Sequence, residues 1–151
     1  MNEFIIYTFR TFPHKKELEK CFGTIFVLHN LKKDLITLTE KIKKEKPVYI
    51  LGIAKSMGKY SVIEHTAVNQ FNRKGIIDKN GKRILSLSIP KDICDEFSLS
   101  KKITTSFCNY SMYKVQKFLD DKHLPIPFSF VHVSEKNISS LPFLFIDSHE
   151  K

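Results

Sequence analysis

Cys108 stands at a place in the sequence where a thiol could act as a nucleophile. It lies between a short apolar stretch, residues 103–107, and a segment with the apolar spacing of a helix that starts near Asn109. A thiol at the amino end of a helix meets the positive end of the helix dipole, which favours the thiolate and predicts a lowered pKa. A cysteine among apolar residues is also commonly a packing residue, and we expect that role for Cys21 and Cys94.

His132 and Glu64 could complete such a site. His132 lies in the apolar run FVHV near the end of a predicted strand, which is where open α/β sheets place their ligands. Glu64 lies among apolar residues in VIEHTAVN, and a carboxylate in that setting needs a partner. A cysteine, a histidine and an acid on three elements can serve as nucleophile, base and the group that orients the base. Taken singly, each is a weak signal, because a structural role is the commoner one for such a residue.

The elements that must position these residues are predicted from the apolar pattern. Two segments have helical spacing, residues 31–42 before Pro47 and residues 110–122 before Pro125. Continuous or alternating apolar runs typical of strands occupy residues 4–9, 24–28, 48–54, 62–71, 83–89, 128–133 and, at the edge of the sheet, 141–147.

Two turn signals complete this description. Asn80-Gly81 favours a tight hairpin turn, and Pro90 predicts the start of a short helix that runs through Phe97. The succession of buried strand, helix and buried strand in the first 54 residues predicts a parallel sheet covered on both faces. With no internal repeat and no linker, one α/β domain over residues 1–151 is the simplest organisation.

Composition excludes several classes of protein. Of the 151 residues, 42% are hydrophobic and 27% are charged, which excludes a disordered or low-complexity chain. No apolar run approaches the roughly 20 residues of a membrane span, and the first residues do not read as a signal peptide. Three widely separated cysteines predict no disulfide framework. We therefore expect a reduced, cytoplasmic protein.

The net charge of +9 comes mainly from scattered lysines. Only three of the 25 basic residues are arginine, and no docking motif for nucleic acid is present. The interpretation we favour is a solvated lysine-rich surface without specific nucleic-acid binding. The histidines show no zinc-ligand spacing and no glycine loop has the phosphate-binding pattern, so we expect no metal and no cofactor.

The segments around the three candidate residues resemble those of a known family. SFCNYSMY at 106–113 and FVHV at 130–133 are similar to the cysteine and histidine blocks of pyroglutamyl peptidase I, a cytosolic cysteine peptidase family. VIEHTAVN at 62–69 is similar to the block that carries the family's catalytic glutamate. TFRTF at 8–12 resembles its Gly-Phe-x-Pro-Phe loop through Phe9 and Phe12. The four blocks occur in the family's order.

The resemblance implies a three-layer α/β/α fold with a mostly parallel central sheet. It implies that Cys108 attacks the amide after an N-terminal pyroglutamyl residue, that His132 transfers the proton, and that Glu64 orients the imidazole. Phe9 and Phe12 would form the walls of the slot for the lactam ring, with Phe107 contributing further contacts. It also implies N-terminally blocked peptides as substrates and a tendency to form homo-oligomers.

Several family features have no counterpart in this shorter chain. Thr8 and Thr11 replace a glycine and a proline of the first loop, and Thr104 replaces a glycine before the cysteine. The family's lactam-reading glutamine has Ile53 or Ala54 near its place. Lys59 stands where the family has an arginine, and the terminal helix after the histidine is missing or replaced, because residues 134–151 show no helical period.

Two hypotheses of different class follow. The first is a cysteine peptidase of the pyroglutamyl type with altered substrate choice. The alternative is a non-catalytic relative, a binding or assembly module on the same fold. A buried, unreactive Cys108 would favour the second.

Overall fold

The central sheet has six strands and is mostly parallel, as predicted. The computed structural model describes residues 4–90, 97–142 and 145. Along the chain the sheet strands are β1 (Phe4–Phe9), β2 (Phe26–Leu28), β3 (Tyr49–Lys55), β4 (Val62–Glu64), β7 (Ser98–Leu99) and β8 (Phe128–Val133). A separate two-stranded antiparallel sheet consists of β5 (Thr66–Val68) and β6 (Ile84–Ser86).

The strand order places β8 near the centre of the sheet. The order is β2-β1-β3-β8-β4-β7. β1, β2, β3 and β8 run parallel to one another, whereas β4 runs antiparallel to β8, and β7 runs parallel to β4. One antiparallel junction therefore lies inside the sheet, between β8 and β4.

Helices cover both faces of this sheet. The two long helices are α2 (Leu31–Glu45) and α3 (Phe107–Asp121), and they pack on one face against alternate side chains of the strands. The opposite face is covered by α1 (Lys15–Phe22) and a 3₁₀ helix (Glu135–Ser140). This is the three-layer α/β/α architecture that was expected. None of the helices in the described residues is long and apolar enough to cross a bilayer.

The predicted strands at 4–9 and 128–133 are confirmed at the same boundaries. Both predicted helices are confirmed: the first continues three residues further, to Glu45, and the second begins three residues earlier and ends one residue earlier than predicted. The single strand predicted at 62–71 is wrong, because the strand is interrupted at His65: β4 before it belongs to the central sheet and β5 after it belongs to the two-stranded sheet. The tight hairpin at Asn80-Gly81 is also wrong. Residues 69–83 form a long connection between β5 and β6, anchored by Asn69, whose side chain accepts from the N–H groups of Ile77 and Asp78.

The carboxyl-terminal expectations need correction too. Leu141 and Pro142 continue in helical conformation after the 3₁₀ helix, so the edge strand predicted over 141–147 is wrong where the structure describes it. Ile138 and Leu141 pack with Leu18 of α1, so the 3₁₀ helix covers the face for which the sequence predicted that the family's terminal helix is missing or replaced. Most of the short helix predicted after Pro90 lies outside the described residues.

Gly52 lets two aromatic rings meet across the centre of the sheet. In register it lies between Tyr7 of β1 and Phe130 of β8. A Cβ atom there would lie 2.5 Å from Cδ2 of Phe130 and 2.6 Å from Cζ of Tyr7. The two ring centroids are 6.1 Å apart and form part of the floor beneath α3.

We predict that Gly52→Ala destabilises the protein. Because both rings are fully buried, the extra methyl must displace them, and overpacking of this kind costs about 1–3 kcal/mol. Urea unfolding monitored by circular dichroism measures the difference. Gly58→Ala is the matched control, since nothing lies within 4 Å of its added Cβ. Equal stabilities of the two variants would contradict this packing analysis.

Candidate active site

Cys108 is the second residue of α3, at the amino end of the helix, as the sequence predicted. Ser106 occupies the N-cap position, and its carbonyl accepts the first helical bond from the N–H of Tyr110 at 3.0 Å. The N–H groups of Phe107, Cys108 and Asn109, which precede Tyr110, have no acceptor within the helix and can therefore donate to an anion. Cys108 itself is only 4% exposed.

Asn109 fixes this end of the helix to the small sheet. Its side-chain oxygen accepts from the N–H of Val68 at 2.9 Å, and its amide donates to the carbonyls of Val68 and Gln70 at 2.9 and 3.0 Å. The side chain is fully buried, so leaving these backbone groups unpaired would be costly. Asn109 therefore sets the position of its neighbour Cys108. In the sequence, the only indication of this role was that Asn109 directly follows Cys108.

Burial raises the pKa of the Cys108 thiol to about 12, which is opposite to the lowering expected from the helix dipole. Desolvation of the thiolate is the largest cause, and the negative charge of Glu64 raises the pKa further. A hydrogen bond from Ser106 lowers the pKa, although not enough to offset burial. The resting thiol is therefore protonated at neutral pH.

Ser106 is a residue that sequence reasoning missed. The hydroxyl of Thr104 donates to Oγ of Ser106 at 3.0 Å, which leaves the Ser106 hydroxyl proton free for the sulfur of Cys108. This chain orients a donor toward the group that must carry negative charge during nucleophilic attack. Thr104, noted in the sequence as the replacement of a family glycine, therefore has a local structural role. Because the predicted helix started near Asn109, Ser106 was not recognised as the N-cap residue that it is in the structure.

His132 and Glu64 meet across the antiparallel junction. In the register of β4 and β8, Val62 lies opposite His132, so Glu64 is its diagonal neighbour on the same face of the sheet. Nδ1 of His132 lies 3.0 Å from Oε1 of Glu64, and the side chains are 17% and 8% exposed. In the neutral imidazole, Nδ1–H donates a hydrogen bond to the carboxylate, which leaves Nε2 without a proton and able to accept one.

All six residues singled out from the sequence line one pocket of about 940 Å³. The lining includes the three candidate catalytic residues and the three candidate binding residues, which are Glu64, Cys108, His132, Phe9, Phe12 and Phe107. The rings of Phe9 and Phe107 meet edge to face with centroids 4.7 Å apart. Phe9 and Phe12 are buried, whereas Phe107 is 42% exposed and lies at the opening. The pocket can hold an apolar ring beside a thiol and an imidazole.

The divergent segments lie at the same pocket. Ala54 lines it, whereas Ile53 is fully buried in the opposite face of the sheet. Of the two residues near the position of the family's glutamine, only Ala54 reaches the pocket, and its methyl group cannot form a hydrogen bond. Thr11 and Lys59 also line the pocket, while Thr8 is buried and donates to the carbonyl of Ile53 at 2.7 Å.

The lysines at the rim of the pocket were not assigned to the site from the sequence. Lys55, Lys59, Lys101 and Lys102 all line it. In the sequence Lys59 was noted only as the counterpart of a family arginine, and the other three were indistinguishable from the scattered surface lysines. Only the fold brings the end of β3 and the segment after β7 to one opening. Within the described residues no group of three metal-ligating side chains occurs.

Comparison with solved structures identifies the fold. No protein-family model matches the chain, and no curated protein sequence matches it. The pyrrolidone carboxyl peptidase of Thermococcus litoralis matches with a TM-score of 0.73 at 18% identity, over 89% of this chain and 77% of that one. A mutant of the enzyme from Pyrococcus furiosus gives 0.74 at 17%, over 87% and 80%. Pyroglutamyl peptidase I of Bacillus amyloliquefaciens gives 0.70 at 18%, over 91% and 84%. The chain has the fold of these peptidases, as the resemblance implied.

We predict that Cys108 reacts slowly with iodoacetamide at pH 8, at least about tenfold more slowly than the partly exposed Cys21. Because the pKa of Cys108 is raised to about 12, its labelling rate should still be rising at pH 10. Site-resolved mass spectrometry measures both rates. Labelling in urea, where the thiols are equally accessible, is the control. A Cys108 rate that reaches a plateau below about pH 7 would contradict the effect of burial, since an ordinary thiol has a pKa near 8.5.

Proposed function

We propose that this chain is a cysteine peptidase of the pyroglutamyl-peptidase type, with residues 1–151 acting as one catalytic domain in the cytoplasm. One observation carries the proposal: Cys108 shares a pocket with a histidine whose Nδ1 is held by a buried carboxylate at 3.0 Å. A nucleophile, a base and an orienting acid on three elements are the components of nucleophilic amide hydrolysis. The substrate class is a peptide with a blocked, cyclised N-terminal residue.

In the proposed first step, the sulfur of Cys108 attacks the carbonyl carbon of the scissile amide. Its proton moves to Nε2 of His132, and the imidazolium is stabilised by Glu64. The oxyanion that forms accepts hydrogen bonds from N–H groups in the first turn of α3. Because the resting thiol is protonated, attack and proton transfer are coupled rather than starting from a preformed thiolate.

The second half of the cycle reverses the proton transfer. The proton on Nε2 passes to the nitrogen of the leaving amine as the C–N bond breaks, which leaves a thioester on Cys108. Water then loses a proton to His132 and attacks the thioester. The C–S bond breaks, the carboxylic acid leaves, and the thiol is restored.

A non-catalytic binding module on the same fold is the second candidate. The deep burial of Cys108 and its raised pKa favour it, because a thiol that never ionises would be a packing residue. The pairing of His132 with Glu64 favours the peptidase, since a buried imidazole–carboxylate pair facing a pocket has no evident packing role. The peptidase would cleave its peptide, whereas the binding module would bind the peptide without cleaving it.

We predict that Cys108→Ser and His132→Ala each abolish release of aminomethylcoumarin from its pyroglutamyl amide, by at least about 10³-fold in kcat. Glu64→Gln keeps the base and loses only its charged partner, so it should be roughly tenfold to hundredfold less damaging. Cys21→Ser, which alters a thiol packed beside the opposite face, is the control and should retain full activity.

Circular dichroism and thermal unfolding establish that the inactive variants remain folded. Retained turnover in Cys108→Ala would contradict the mechanism. No turnover of any N-terminally blocked peptide by the wild-type chain, with the substrate still bound, would establish the binding module instead.

A further inference from the structure

Four lysines surround the pocket from two sides. Lys55 ends β3, and Lys59 lies in the loop that follows it, while Lys101 and Lys102 lie in the segment after β7. In the sheet, β3 and β7 flank the pair β8 and β4, which carry the candidate base and its carboxylate. The two lysine pairs therefore lie on either side of the catalytic groups.

These four ammonium groups have no carboxylate partner among the described residues. The only acidic side chain in the described lining of the pocket is Glu64, which is held by His132 at 3.0 Å. All four lysines are exposed. Among the described residues, the lysines at this opening therefore present positive charge without a paired carboxylate, and an apolar cleft rimmed by one sign of charge concentrates ligands of the opposite sign.

The same rim has unusually exposed apolar side chains. Met57 is 97% exposed, Tyr60 is 71% exposed, and Leu99 is 43% exposed, and each lines the pocket. Apolar side chains beside cations fit a peptide that presents both apolar and acidic side chains, whereas a free inorganic anion would use only the cations.

We propose that the pocket selects peptides that carry an acidic side chain at the first position after the scissile bond. This inference rests on the proposed function, which places the scissile carbonyl at Cys108 and so directs the leaving peptide toward the opening. The lysines act on substrate binding and do not take part in bond cleavage. Their effect is on KM, with kcat little changed.

The expected size of the effect follows from exposed ion pairs. Each such pair strengthens binding by about 1.4-fold to fivefold, so two acting together favour an acidic peptide over its neutral isostere by about twofold to 30-fold, with fivefold to tenfold in the middle of that range. Salt must reduce this preference, because at about 0.5 M the Debye length falls to a few ångströms.

The test measures binding separately from turnover. Fluorescence anisotropy compares pyroglutamyl-Glu-Ala and pyroglutamyl-Gln-Ala peptides, each with the same carboxyl-terminal dye, on the folded Cys108→Ala chain at low and high salt. The paired variant Lys101→Gln/Lys102→Gln removes two rim charges. Lys43→Gln/Lys44→Gln removes two exposed charges from the far end of α2 and is the control. We expect the preference for the Glu peptide to fall about threefold to fivefold in the rim variant only.

The outcomes separate this inference from the proposed function. Equal affinity for the two peptides, or an equal loss in the control variant, overturns the acidic preference, and cleavage of both peptides by the wild-type chain then leaves the peptidase standing. Preferential binding of the Glu peptide without any cleavage supports the acidic preference and overturns the peptidase. Binding of neither peptide overturns both.

Discussion

The antiparallel junction between β4 and β8 is the constraint on which the candidate site depends. It makes Glu64 the diagonal neighbour of His132 and brings their side chains to within 3.0 Å on the face covered by α3. A slip of one residue in this register would turn Glu64 to the other face, where it would meet the apolar cluster around Ile63 and Val131. The rest of the sheet is parallel up to β8, and this one reversal supplies the acid.

Burial of the site has two opposing consequences. It strengthens the attraction between an imidazolium at His132 and the carboxylate of Glu64, because charges interact more strongly where water is excluded. It also raises the pKa of Cys108, since the thiolate loses its solvation. Under the proposed mechanism, a site built this way is inert at rest, and the nucleophile forms only when a substrate carbonyl lies against the sulfur. The hydrogen bond from Ser106 is the local compensation for the developing charge.

The sequence predicted what apolar periodicity and short motifs encode. The runs FIIYTF and FSFVHV are buried on both faces of the sheet, which leaves an unmistakable apolar signature for β1 and β8. The short helix α1 was not predicted, because only Leu18 in it is fully buried. The break at His65 was missed for a related reason: three-residue strands in two different sheets give the same apolar alternation as one longer strand. Of the four rim lysines, only Lys59 was singled out, as the counterpart of a family arginine, because the convergence of all four depends on tertiary structure.

The residues of the proposed recognition surface differ among themselves in how they tolerate substitution. The aromatic walls formed by Phe9 and Phe12 are part of the core, so substitution there would cost packing as well as binding. Ala54 also lines the pocket, but its methyl group cannot form the hydrogen bonds by which an amide side chain would recognise a lactam ring. Lysines at the rim are exposed and can be gained or lost at almost no cost in stability. Under the proposed function, a pocket with these apolar walls and a methyl group at Ala54 therefore gains selectivity most readily through charge at its opening, acting on the part of the peptide that remains outside the pocket.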